Sequence, residues 1–281
     1  MNETPLEKLY ATERWVGSGM GSYKQHYPHP TELIEPFLTR IDEAAKEHSE
    51  EYTLSVKTLK PMSVQDKDTE LVRTAQGRFG VTVDFSKLND ANHRLSIGLV
   101  AALDLRRPLI QVFRGYNSAV CLNLAIFSAD EIYKGYLFEG GLEMATRTLT
   151  RYVNTFKEGE EELMDNINFL SHVYWDATHL DQRVGSLYRH FMQHGNVLTA
   201  FAYAIRQMED PNSRYALDDK GGTNAWNFTS AMTQYVTDKV PVDQKAEKTW
   251  EIIDHVASDL LDWRDNQPDD MLVHLPQNIL P

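Results

Sequence analysis

Two periods divide the chain. As far as residue 135, apolar residues recur mainly at every second position, and beyond it mainly at every third or fourth. In FGVTVDF, at 79–85, Phe79, Val81, Val83 and Phe85 share one face, the alternation of a half-buried strand. LSIGLVAALDL, at 95–105, places Leu95, Ile97, Leu99, Ala101, Leu103 and Leu105 on one side, and Tyr52, Leu54 and Val56 repeat the pattern. AVCLNLAIF, at 119–127, is apolar on both faces except at Asn123, which predicts a central strand covered on both sides. RRPLIQVF, at 106–113, is a further strand with Pro108 at its start, where a missing N–H costs little. GYNS, at 115–118, is the turn expected after it.

One helix is predicted ahead of these strands. Thr31 is its expected cap, Leu33, Phe37, Ile41 and Ala44 form its stripe, and Pro36 falls in its early turns. In the second half the period is helical throughout. Leu142, Ala145, Leu149, Tyr152, Val153 and Phe156 form one stripe, and Leu163, Ile167 and Leu170 another. Val184, Leu187, Phe191, Leu198, Ala202 and Ile205 are read as a third. Ala246, Trp250, Ile253, Ala257 and Leu260 form the last, with Asp243 as its N-cap. DDKGG, at 218–222, and PDDMLVHLPQNILP, at the C-terminal end, are loops. Strands segregated from helices predict an α+β fold. The sheet is antiparallel-rich, comes from the N-terminal half and packs on a C-terminal helical bundle. The expected organisation is a single domain over 1–281, with 1–135 mainly β plus one early helix and 136–281 mainly α.

Composition narrows the function classes. With 281 residues, 42% hydrophobic and 25% charged, the chain has the make-up of an ordinary globular protein. It has no apolar run near the ~20 residues of a membrane helix. MNETPLEKLYATERW lacks the basic-then-apolar order of a secretory signal. Cys121 is the single cysteine. It excludes an intramolecular disulfide and Cys-rich zinc sites, and its apolar setting reads as a buried structural thiol. The expected location is cytoplasmic. A net charge of −13 opposes sequence-independent DNA binding, which needs Lys and Arg on phosphates. It suits a partner with a basic surface.

Candidate chemistry is sparse. GSGMGSYK, at 17–24, lacks the G-K-[ST] of a phosphate-binding loop. His190 and His194 are four apart, with His172, Asp176 and His179 before them. That spacing can hold a metal on a helix face, but no H-E-x-x-H is present, and Tyr188 and Phe191 favour packing. No G-x-S-x-G elbow is present, and acidic runs such as EGEEEL read as a solvated face. No cofactor is expected. The basic residues are more ordered: Arg106 and Arg107 flank Pro108, Arg114 closes the same strand, and Arg147 and Arg151 are four apart on a helix. Converging, they would track a phosphate backbone with Tyr116 or Tyr133 stacking a base. The alternative is surface arginine paired with the excess Asp and Glu.

GGTNAWNFTSAMTQYVTDKV, at 221–240, reads as a loop, an N-cap at Thr223 and a helix ended by Pro241. Ala225, Phe228, Met232, Tyr235 and Val236 form its apolar stripe. Trp226, Ser230, Thr233 and Thr237, with Asn227 alongside, make a second face of small hydroxyls around a tryptophan. Exposed, that face is a candidate interface; buried, it is architecture.

Two stretches resemble a phage- and plasmid-borne family of unknown function. NSAVCLNLAIF, at 117–127, is similar to its R-x-V-C-x-N-G signature, and GTNAWNFTSAMTQYV, at 222–236, to its C-terminal G-T-x-W-x-x-x-N-A-[VM]-T-x-Y helix. Leu124 replaces the glycine of the first, and Ser230 the asparagine of the second. The resemblance implies a mobile-element setting. The expected function is a non-catalytic accessory protein that binds a macromolecule. A host or phage protein partner comes first, as in counter-defence. Nucleic-acid binding in support of recombination or replication is the alternative, and a cryptic metal-dependent enzyme at 172–194 the second. Homo-oligomers are compatible with strands that lack obvious edge protection.

Overall fold

The structure is a computed structural model that describes residues 4–18, 24–59, 62–65, 72–85, 93–105, 107–118, 124–193 and 195–266. Its elements run α1 (Pro5–Tyr10), β1 (Val16–Ser18), β2 (Lys24–His26), α2 (Pro30–His48), β3 (Tyr52–Thr58), β4 (Met62–Gln65), β5 (Val72–Ala75), β6 (Arg78–Phe85), β7 (His93–Ala102), β8 (Leu109–Ser118), β9 (Leu124–Ala125), β10 (Ile132–Tyr136), α3 (Leu142–Asn154), α4 (Phe156–His172), β11 (Tyr174–Trp175), α5 (Ala177–Phe191), α6 (Gly195–Glu209), β12 (Thr223–Asn224), α7 (Ala225–Lys239) and α8 (Lys245–Asp265). The fold is α+β, with an antiparallel sheet from the N-terminal half and helices in the C-terminal half. Among the described residues no helix is long and apolar enough to cross a membrane.

The chain forms two compact units that interleave in sequence. Unit 1 comprises 1–117, 130–157 and 241–244, and unit 2 comprises 118–129, 158–240 and 245–281.

In unit 1 the strand order is β10-β8-β7-β6-β3. Val81 lies opposite Leu99 and Val56, and Val83 opposite Ile97 and Leu54. The alternating apolar sets seen in the sequence therefore meet on one face. Phe79, Val81, Val83, Phe85, Leu95, Ile97 and Leu99 are buried there. Leu33, Phe37, Ile41 and Ala44 of α2 are buried as predicted, as are Ala145, Leu149, Tyr152 and Val153 of α3. Leu142 is not: it is 42% exposed.

Several local expectations are corrected. The cap of α2 is His29, whose side chain accepts from the Thr31 N–H, with Pro30 supplying the first helical position. GYNS does not turn; it finishes β8, which starts after Pro108 rather than at Arg106. Of 119–127, Leu124–Ala125 is a short strand in unit 2, and residues 119–123, Cys121 and Asn123 among them, lie outside the described residues. Asp243 does not stand immediately before α8, which begins at Lys245. It sits in a short turn at 242–244, buried, where Arg78 donates to it at 3.4 Å and to Asp104 at 2.6 Å. A side chain at position 80 would collide with Val242, so Gly80 leaves the room that Val242 fills.

Arg114 is the one arginine on the helix-covered face of β8, in step with Ile110, Val112 and Tyr116. It is 6% exposed. Its Nε and Nη2 each donate to Glu131 at 2.7 Å, and its Nη1 donates to the Thr155 carbonyl at 2.7 Å and hydroxyl at 2.9 Å. Burial, then the Glu131 carboxylate, raises the Tyr152 phenol, whose ring lies 5.2 Å from the guanidinium.

Unit 2 is helical around a buried aromatic row. Trp175 meets Phe228 edge-on at 5.8 Å, Phe228 lies 6.2 Å from Phe201, and Phe201 lies 5.3 Å from Phe191. The single long stripe expected from 184 is two helices. The break between Phe191 and Gly195 resets the phase, so Val197, Ala200, Phe201, Ala204 and Met208 are buried instead of Leu198, Ala202 and Ile205. Arg183 ties α5 to α8. It pairs with both oxygens of Asp259, at 2.6 and 2.7 Å, and donates to the Val256 carbonyl at 2.7 Å.

Removing one partner of a buried pair strands the other charge. Arg114→Met is therefore expected to lower stability by about 3–5 kcal/mol. Chemical denaturation followed by circular dichroism should show it, and adding Glu131→Leu should recover part of the loss. Equal stability of the single and double variants would refute a buried-charge origin.

Candidate functional site

A depression in unit 1 lies between α2 and α3 over the sheet. It encloses about 400 Å³, within the range of sites that take apolar groups. Leu99, Ile110 and Val112 form its floor. Leu33, Pro36 and Phe37 make one wall, and Leu142, Ala145 and Leu149 the other. Glu32, Thr39, Arg40, Glu43 and Thr146 edge it with polar groups. Two ion pairs fix that edge: Arg40 with Glu43 at 2.7 Å, and Arg14 with Glu32. Pro36, inside α2 at this lip, has no N–H to give the Glu32 carbonyl one turn back. Leu142 is exposed on the α3 side. The segment leading into α3 also exposes Tyr136 and Phe138, and the first turn of α3 exposes Met144.

The five sequence-selected arginines do not share one role. Arg106 lies outside the described residues. Arg107 bonds both oxygens of Glu139, at 2.7 and 2.8 Å, and lies 3.6 Å over the Tyr136 ring. That hydrogen bonding raises the guanidinium further above its usual range. Arg114 is withdrawn into the buried clamp. Arg147 pairs with Glu143 one turn back at 2.6 Å, and Arg151 donates to the Asp130 carbonyl at 2.5 Å. Of the two candidate stacking rings, Tyr116 is buried.

On α7, Ser230 and Thr233 are buried, at 5% and 2% exposure. The helix packs against both α6 and α8. Thr233 donates to the Ser230 carbonyl at 3.2 Å, and Thr237 to the Thr233 carbonyl at 3.4 Å. Trp226 is half-buried with its ring 6.2 Å from Phe127. The cap is Asn224, not Thr223: its side chain accepts from the Asn227 N–H at 2.7 Å. Asn227 in turn donates to the Thr223 hydroxyl at 2.9 Å and the Tyr215 carbonyl at 3.3 Å. Ser230 and Thr233 are therefore packing between helices, while Trp226, Asn227 and Thr237 stay half-buried.

The histidines disperse. His172 bonds the Asn168 carbonyl, and Asp176 caps α5 through the His179 N–H, which lowers its pKa. His190 meets His255 of α8, Nε2 to Nδ1 at 2.9 Å, and His194 lies outside the described residues. Among the described residues no three His, Cys, Asp or Glu side chains group as a metal site would need.

Sequence reading missed a buried polar set on the second sheet face. Asp84 accepts from Ser96 at 2.5 Å and from Asn117 at 3.1 Å, while the amide of buried Gln111 has no hydrogen-bond partner. Their even spacing against the apolar residues of β6 and β7 was the available signal. No protein-family model, curated protein or solved structure matches the chain.

Two outcomes are expected. Ser230→Leu overpacks a filled site and costs about 1–3 kcal/mol; unchanged thermal stability would return that face to the surface. A gel shift at low salt should show no DNA complex, because Arg107 and Arg147 face carboxylates within a strongly acidic chain. A complex weakened by salt and by Arg106→Ala plus Arg147→Ala would reverse this.

Proposed function

We propose that the chain is a non-catalytic accessory protein of phage or plasmid type that works by binding a protein partner. The observation that carries this reading is the α2–α3 cleft. It offers a preformed apolar floor and an exposed leucine at its lip. Concave apolar surfaces edged by a few polar groups are the usual form of a binding site. The partner inserts apolar side chains between the helices, in the manner of a segment held in a groove. The exposed charged positions of α2 are Glu32, Glu35, Asp42, Glu43 and Glu47 against Arg40 and Lys46. Their excess of acid, within a net charge of −13, selects basic residues flanking the apolar insert and favours rapid encounter. The resemblance of 117–127 and 222–236 to a mobile-element family supplies the setting, in which a host component is a natural target, as in counter-defence.

The test compares wild type with Leu142→Glu and Ala145→Phe, the first charging the lip and the second filling the cleft. Wild type immobilised against host lysate is expected to retain a discrete protein that both variants release. Both variants should melt within a few degrees of wild type. Retention of the same protein by all three would remove the cleft from the reading.

A further inference from the structure

The two edges of the unit 1 sheet differ. At the β10 edge the chain folds back at once: Gly141 lies so close to the Tyr136 carbonyl that a side chain there would collide with it. At the other edge, among the described residues, β3 pairs with β6 alone. Its seven residues, YTLSVKT, contain no proline, and its register with β6 runs unbroken from Tyr52 to Thr58.

The ladder fixes which backbone groups face outward. Leu59 N–H donates to the Arg78 carbonyl at 3.2 Å, and on the far side of β6 Leu103 N–H donates to the Gly77 carbonyl at 2.6 Å. Even-numbered residues of β6 therefore bond β3, and odd-numbered ones bond β7. Thr53, Ser55 and Lys57 are spent on β6. The N–H and C=O groups of Tyr52, Leu54, Val56 and Thr58 point away from the sheet, and among the described residues none is given a partner. The side chains of Thr53, Ser55 and Lys57 are exposed, and Leu54 and Val56 are half-exposed.

We infer that β3 pairs antiparallel with β3 of a second copy about a two-fold axis at Ser55. Of the registers that this hydrogen-bond phase permits, the one centred on Ser55 pairs all seven residues of the strand, and in it the sequence is complementary to itself. Tyr52 falls opposite Thr58 of the other copy and Leu54 opposite Val56, all of them hydrogen-bonded pairs. Ser55 meets Ser55, and Thr53 meets Lys57, as non-bonded pairs. The Leu54–Val56 contacts join the apolar faces of the two sheets. The only charge, Lys57, meets a threonine. The two Lys57 residues stay about 14 Å apart along the strands, four residues at ~3.4 Å each, so the usual lysine guard of an edge does not act here. Because the interface is isologous, it closes as a dimer rather than a fibre. It is independent of the α2–α3 cleft.

The experiment uses full-length protein, with mass measured by light scattering through the micromolar range. Wild type is expected at twice the chain mass. Ser55→Lys and Ser55→Asp each place like charges opposite one another at the axis, on an exposed side chain, and each is expected to give monomer with an unchanged circular dichroism spectrum. An equimolar mixture of the two variants should regain the dimer mass, since lysine then faces aspartate. Hydrogen exchange gives a second readout. The Leu54 and Val56 amides should be protected in wild type and lose protection in Ser55→Lys, while the Ser55 and Lys57 amides stay protected in both. Monomeric wild type, a Ser55→Lys protein that remains dimeric, or a mixture that fails to reassociate would each overturn the pairing.

Discussion

Taking the Arg114 guanidinium out of water costs several kcal/mol, and that cost is offset only while Glu131 and Thr155 both present their oxygens to it. These residues come from β8, from the turn before β10, and from the C-terminal cap of α3. One desolvated charge thus fixes where α3 ends over the sheet. The floor of the cleft includes Ile110 and Val112, neighbours of Arg114 on the same face of β8, and its wall includes Ala145 and Leu149 on α3. The width of the opening is therefore set from behind, by a group that no ligand in the cleft would touch.

Strands were legible where burial is one-sided and repeated. The alternation of β6 and β7 survives because each apolar residue meets another across the ladder. Strand β10 was missed because IYKGY holds little apolar periodicity of its own, and its register comes from β8. The phase of α6 was misread because His194 and Gly195 gave no clear stop between two helices of similar composition. Arg114 looked like surface charge because burial of a cation depends on non-local acceptors. Its place in step with Ile110, Val112 and Tyr116 was the visible clue. His190 was paired in the sequence with His194 on helical spacing, whereas the structure gives it His255, 65 residues on.

The α7 face shows how one composition supports two readings. Serine and threonine let a neighbouring helix come close, and they can satisfy their own hydroxyls on carbonyls within the same helix. Both properties suit an interface, and both equally suit a helix enclosed by α6 and α8. Burial of Ser230 and Thr233 decides for the second. Of what the sequence marked as an interface, Ser230 and Thr233 are packing inside unit 2, and Trp226, Asn227 and Thr237 remain half-buried.

The buried turn at 242–244 has a bearing on how the protein is made. Asp243 reaches Arg78 across 165 residues of chain, and Val242 occupies the space left by Gly80. A ribosome delivers β6 long before it delivers either residue. During synthesis the sheet therefore waits with Arg78 held by Asp104 alone and with Gly80 uncovered. Closing so long a loop is entropically slow, which places maturation of the N-terminal sheet late, after α7 has emerged.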